Sequence, residues 1–167
     1  MIWLIQLLKG FFHWQGLKQI LTDGWRMIDS RIAKFLKKHH VLTIATMADN
    51  ETWCANCFYV YLPEENVFVF TTGYDTRHGR EFLKNNRVAG SVVLETNIVG
   101  KIRGIQFQGY VSEPEDDLSQ KVRNAYLKRF PVAMLIGTRL WIVRLSYIKM
   151  TDNRLGFGKK LIWTIDD

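Results

Sequence analysis

Long apolar runs are missing from this sequence. The longest is six residues, Cys57 to Leu62, against the roughly 20 that a membrane-spanning helix needs, so a helical membrane protein is not expected. Cysteine is scarce. The two present, Cys54 and Cys57, cannot supply a disulfide framework and point to a reducing cytoplasm. There are three prolines, no internal repeat and no low-complexity segment. What is present is apolar and aromatic: 167 residues at 47% hydrophobic and 13% aromatic, enough for one core and too much for a disordered regulator. Twenty-three Lys and Arg against 16 Asp and Glu give a net charge of +7. Such a balance favours anionic partners: phosphate-bearing small molecules, nucleic acid or anionic lipid. Nucleic acid is the least supported, because no recognised motif accompanies the charge and the aromatics fall at core-facing positions.

The chain divides near residue 26. Residues 1–26 form a hydrophobic extension whose only full charges before Arg26 are Lys9, Lys18 and Asp23. Three readings stay open: an interfacial amphipathic helix that brings membrane contact, a docking helix, or sequence upstream of a true start at Met27. Residues 27–167 read as one α+β domain.

In that domain Asp29 or Ser30 caps a short helix, Arg31–Lys38, with Ile32, Phe35 and Leu36 on one face. Strand-like segments follow at Val41–Met47, Trp53–Leu62 and Val67–Thr72, with turn chemistry at Asp49-Asn50 and Pro63–Asn66. A helix is expected over Arg77–Asn85, then strands at Val88–Leu94 and Ile102–Val111. Ser112-Glu113-Pro114-Glu115 has the form of a capping box opening a helix to Phe130. Strands near Leu140–Ile148 and Leu161–Ile165 flank a Gly-rich turn. Six or seven strands without βαβ alternation predict a mainly β, antiparallel split barrel with short flanking helices.

The chemistry concentrates in Phe70-Thr71-Thr72-Gly73-Tyr74-Asp75-Thr76-Arg77-His78-Gly79-Arg80. Thr76 stands where a helix cap belongs, and Arg77, His78 and Arg80 fill the first turn. Cations there oppose the helix dipole. A bound anion would reverse that conflict, since free amides, the Thr76 hydroxyl and the Arg77 fork suit a phosphate. A capped surface helix with solvated arginines is the other reading.

This run resembles the flavin-phosphate segment of the pyridoxamine-phosphate-oxidase-like FMN-binding split barrels. Thr71 and Thr72 match that family's strand-end pair, Thr76 its Ser, Arg77 its Arg and His78 its Lys. Asn85-Asn86-Arg87-Val88-Ala89 and Gln106-Phe107-Gln108-Gly109 resemble its next strand entry and a strand ending in Glu-Gly. Trp53–Asn56, Ile102–Gly104, Arg129–Ala133, Thr151–Asn153 and Gly156–Lys160 are shared with a small bacterial subfamily of these barrels. The resemblance implies FMN held by Thr71, Thr72, Thr76, Arg77 and His78, a homodimer with flavin at the interface, and a flavin-dependent oxidoreductase acting on a small molecule. Trp53 and Asn56 would then face the ring or the substrate. The departures are that Trp53–Leu62 carries no basic residue, His78 replaces a fixed cation, and no Pro follows Asn86. Related barrels bind haem, so a non-catalytic binder of haem or another anionic planar ligand is the alternative, with His78, His39 or His40 as the iron ligand.

Other features carry less. Cys54 and Cys57 lie three apart on a strand, on opposite faces, and no second cysteine pair exists, so no metal is expected. Gly156-x-Gly158-Lys159-Lys160 lacks P-loop spacing and reads as a tight turn with a basic rim, with a second anion contact as the alternative. Arg103 alternates with Ile105 and Phe107 and should find a carboxylate or a ligand. No general acid, base or nucleophile stands out.

Overall fold

A computed structural model describes residues 28–135 and 139–165; the extension at 1–26 and Met27 lie outside them. Seven antiparallel strands are present: β1 (Val41–Ala48), β2 (Glu51–Leu62), β3 (Val67–Thr71), β4 (Arg87–Val93), β5 (Arg103–Ser112), β6 (Leu140–Asp152) and β7 (Lys160–Thr164). Their order is β3-β2-β1-β4-β5-β6-β7, and pairing of β3 with β6 closes the barrel. This is the α+β split barrel read from the sequence.

β6 is longer than its apolar pattern predicts because it serves two neighbours in turn. Its first residues, Leu140–Arg144, pair with β3, and Tyr147–Thr151 pair with β7. β5 lies along its other edge and carries a bulge at Gln108/Gly109. A side chain at Gly109 would sit 2.3 Å from the Arg144 carbonyl, so the close strand approach requires glycine. β5 therefore runs on through Gly109, as the expected strand Ile102–Val111 does.

Local turn chemistry sets the first hairpin. Asp49 and Asn50 adopt φ of 53° and 60°, the left-handed pair of a two-residue turn that matches strand twist. α1 (Ser30–Lys38) is capped by Asp29, whose carboxylate accepts from the Arg31 amide at 2.8 Å. It buries Ile32, Phe35 and Leu36 in the barrel core, and the Tyr59 hydroxyl donates to the Leu36 carbonyl at 2.8 Å.

β3 is buried on both faces. Phe68 and Phe70 point into the barrel, where Phe68 meets Tyr59 and Phe107 edge-on at 4.9 Å each. Val67 and Val69 pack outward against Val122 and Tyr126 of α3 (Asp116–Arg129). Each large apolar side chain so buried contributes about 1.5–3 kcal/mol.

The start of α3 departs from expectation. Ser112 is the last residue of β5, paired with Ile142, and the helix is flanked by Glu115 with no side-chain cap. Pro114 disfavours helical backbone at Glu113, so the capping box does not form. Between α1 and α3 in the chain, α2 spans Arg77–Lys84. Cys54 is exposed and Cys57 buried, both as free thiols, in keeping with opposite faces of β2.

Candidate functional site

The end of β3 runs through residues 72–76 into α2. Thr76 is the cap: its hydroxyl accepts from the Gly79 amide at 3.0 Å and donates to the Gly73 carbonyl at 2.9 Å. A side chain at Gly79 would come within 2.2 Å of that carbonyl, so glycine lets the helix start press against the loop. The first-turn amides of Arg77 and His78 have no acceptor within the helix.

The five residues expected to hold a cofactor fall into three groups. Thr72, Thr76 and His78 form one: the Thr72 hydroxyl lies 3.0 Å from that of Thr76 and 2.7 Å from His78 Nε2. Burial holds the His78 imidazole below its ordinary pKa. It is a neutral, committed group rather than the fixed cation it replaces. Thr71 is elsewhere, under α3, with its hydroxyl 3.1 Å from that of Tyr126.

Arg77 forms the third group with partners from its own helix and β2. Its Nε donates to Glu81 Oε1 at 2.8 Å and its Nη2 to Glu51 Oε2 at 2.7 Å. Its guanidinium carbon lies 4.7 Å from the Trp53 ring centre. Glu81 is 8% exposed and also accepts from the Thr46 hydroxyl. These two hydrogen bonds, Arg77 first, hold its carboxyl below the usual range.

Trp53 joins this group to a groove of about 460 Å³ on the outer face of β2, β1, β4 and β5, lined also by Thr46, Cys54, Asn85, Arg87 and Tyr110. Arg87 lies over the Tyr110 ring at 5.8 Å. Arg77 itself lines a neighbouring cavity of about 300 Å³ with Glu51, Arg80, Glu81 and Lys84. Its stack on Trp53 puts a cationic site beside the aromatic-walled groove, a pairing that suits a planar group carrying an anion. Glu51 occupies one face of that arginine. Its pair with Arg77 is exposed and therefore weak, so an incoming phosphate has a displaceable competitor. Asn56, expected near a ring or substrate, instead accepts from the Thr43 hydroxyl at 2.8 Å and is not part of the groove lining.

Sequence reasoning missed Glu51 and Glu81 as the partners of Arg77. The i,i+4 spacing of Arg77 and Glu81 was a visible signal; the contact with Glu51, 26 positions away, had none. It also missed a cluster beside the strand end, where Arg139 lies over Tyr74 at 4.0 Å and donates to Glu113 at 2.9 Å. Tyr74 donates to Glu113 as well. Arg103 faces Asp152 across the β5–β6 ladder. The Asp152 carboxylate hydrogen-bonds to Arg154, and its pKa is held low by that pair and by the charge of Arg103. Among the described residues the buried Arg103 Nε has no hydrogen-bond partner. Among the described residues no cluster of His, Cys, Asp or Glu could hold a metal.

No family model matches the chain. It is similar to a UPF0306 protein of Photorhabdus laumondii, 43% identical over 132 residues that make up 79% of this chain and 92% of that protein. Among solved structures it is similar to a haem-binding protein from Mycobacterium smegmatis, with a TM-score of 0.65 and 19% identity over 76% of this chain and 53% of that one. A FAD-binding protein from Mesorhizobium loti gives 0.58 and 14%, covering 74% and 93%. A pyridoxamine 5'-phosphate oxidase-like protein from Listeria innocua gives 0.57 and 12%, covering 74% and 97%. At these identities the structural likenesses establish the fold.

Proposed function

This chain belongs to the UPF0306 family, and we propose that it is a flavin-binding split barrel that takes FMN in the groove beside Trp53. The observation that carries this reading is Arg77, at the start of a Thr76-capped helix, stacked on the Trp53 ring that also lines the groove. Arg77 and the first-turn amides of α2 bind the phosphate, while Trp53 and Tyr110 flank the ring. Thr72, Thr76 and His78 brace the loop that presents this helix start. FMN, when bound, supplies hydride or electron transfer at its ring. The protein binds and orients it. A homodimer in the cytoplasm, with the second copy covering the open side of the groove, completes the reading, and an oxidoreductase acting on a small molecule is its catalytic form.

A second reading, a non-catalytic binder of haem or another anionic planar ligand, draws on the likeness to the mycobacterial haem-binding protein. Flavin is preferred because Arg77 stacked on Trp53 offers a phosphate contact beside the groove, whereas the three histidines expected to ligate iron, His39, His40 and His78, are not among the groove-lining residues. The test is titration of the purified chain with FMN and separately with haemin, followed by absorption, for the wild type and Arg77→Ala. Saturable FMN uptake weakened about tenfold or more by Arg77→Ala is expected, since a charge-assisted bond is lost. Uptake of haemin alone selects the second reading, and uptake of neither overturns both.

A further inference from the structure

At the end of the barrel where β4 leads to β5 and β6 to β7, two connections are stitched together. The Asn153 side chain donates to the Val99 carbonyl at 2.8 Å, and its amide donates to that of Ile102 at 3.1 Å. Both connections project into open space. Among the described residues, a side chain built at Gly100, Gly156 or Gly158 would meet nothing within 4 Å. Gly156 and Gly158 hold φ of 120° and 72°, a turn only glycine forms readily, and Phe157 between them is 80% exposed. Ile98, Val99 and Ile102 on the facing connection are exposed as well.

The same tip is cationic. Lys101, Lys159 and Lys160 are exposed, and among the described residues none is in an ion pair, whereas Arg154 spends its charge on Asp152. Glu95 is the one exposed carboxylate on these two connections. A solvated turn has no use for a large apolar side chain held out between two glycines. Exposed apolar side chains collared by lysines match an anionic bilayer surface in polarity and sign. The aromatic and aliphatic side chains enter the headgroup boundary while lysine heads stay at the phosphates.

We propose that the tip formed by Ile98–Ile102 and Gly156–Lys160 is a peripheral docking surface for an anionic lipid bilayer. It does not rest on the flavin reading. No helix among the described residues is long and apolar enough to span a membrane, so the contact is one of surface attachment.

The experiment is co-sedimentation of the full chain with vesicles of phosphatidylglycerol and phosphatidylcholine, and with vesicles of phosphatidylcholine alone. Wild type is compared with Phe157→Ser, with the pair Lys159→Glu and Lys160→Glu, and with Leu83→Ser as an exposed apolar control. Wild type and the control should pellet with the anionic vesicles and stay free with the neutral ones. Phe157→Ser should lose at least about fivefold in partitioning through lost apolar burial, and the lysine pair at least about 25-fold, about fivefold for each lysine contact at an anionic surface. They should keep the wild-type thermal melt, since the altered side chains are solvated. Equal pelleting of wild type and both tip variants assigns any attachment to another part of the chain and overturns the proposal. So does binding of a duplex DNA oligonucleotide, lost in the same variants, in place of vesicle binding.

Discussion

The guanidinium carbon of Arg77 lies 4.7 Å from the centre of the Trp53 ring, so the residue that offers charge and the residue that walls the groove act as one unit. Glu81 holds the guanidinium from below through Nε, and Glu51 takes Nη2 from the open side. An anion therefore meets an oriented arginine with Glu51 as a competitor for Nη2.

Glu51→Gln should tighten FMN binding by up to about fivefold, the range of an exposed ion pair, with little change in stability. Fluorescence titration of both proteins checks this. Weaker binding by the variant would mean that Glu51 supports the ligand instead of competing with it.

Cys54 lines the groove and is exposed, whereas burial pushes the Cys57 thiol up to about 11. Native protein treated with iodoacetamide should be alkylated at Cys54 alone, as read by peptide mass spectrometry. Saturating FMN should slow that reaction, because the ligand would cover the thiol.

Stability should fall on mild acidification. Burial lowers the pKa of His78, and burial followed by repulsion from Arg103, Lys38 and His40 lowers that of His39, both from 6.5. In the unfolded chain both take up protons near 6.5 and in the folded chain only at lower pH. The stability they contribute is thus full above that value and is lost as pH drops toward the folded values. Asp29, held down to about 2 by Arg31, acts in a separate, more acidic window. Urea melts at pH about 7.5 and about 5.5 should show the loss, and His78→Gln should reduce it. A variant as pH-sensitive as wild type would remove His78 from this account.

Two hydroxyls that look alike in the sequence should behave differently. Thr76→Ala should cost about 1 kcal/mol, because a working helix cap is lost. Ser112→Ala should change stability by less than about 0.5 kcal/mol, since its residue belongs to β5 and caps nothing. Equilibrium unfolding of the two variants separates them.

That contrast marks how much of the molecule was legible beforehand. The Asp49-Asn50 turn, the apolar face of α1 with Ile32, Phe35 and Leu36, and the cap at Thr76 were readable, because each depends on residues within a few positions of one another. The double burial of β3 showed only as a run of apolar residues. Its outward partner, α3, lies about 50 positions away and leaves no local trace.

The sequence by itself determined the strands, turns and helix start of this split barrel, through backbone preference and periodicity that act over one or two turns of chain. It also placed a basic, capped helix N-terminus after an apolar strand. The tertiary structure alone decided what that helix start faces: Glu51 and Trp53 on one side, Thr46 through Glu81 beneath, and the groove beyond. It likewise turned Thr71 away from Thr72 and His78 and brought Phe157 and Ile98–Ile102 to one tip. Side-chain pairing of this kind depends on strand register and barrel closure, which bring together residues far apart in the chain.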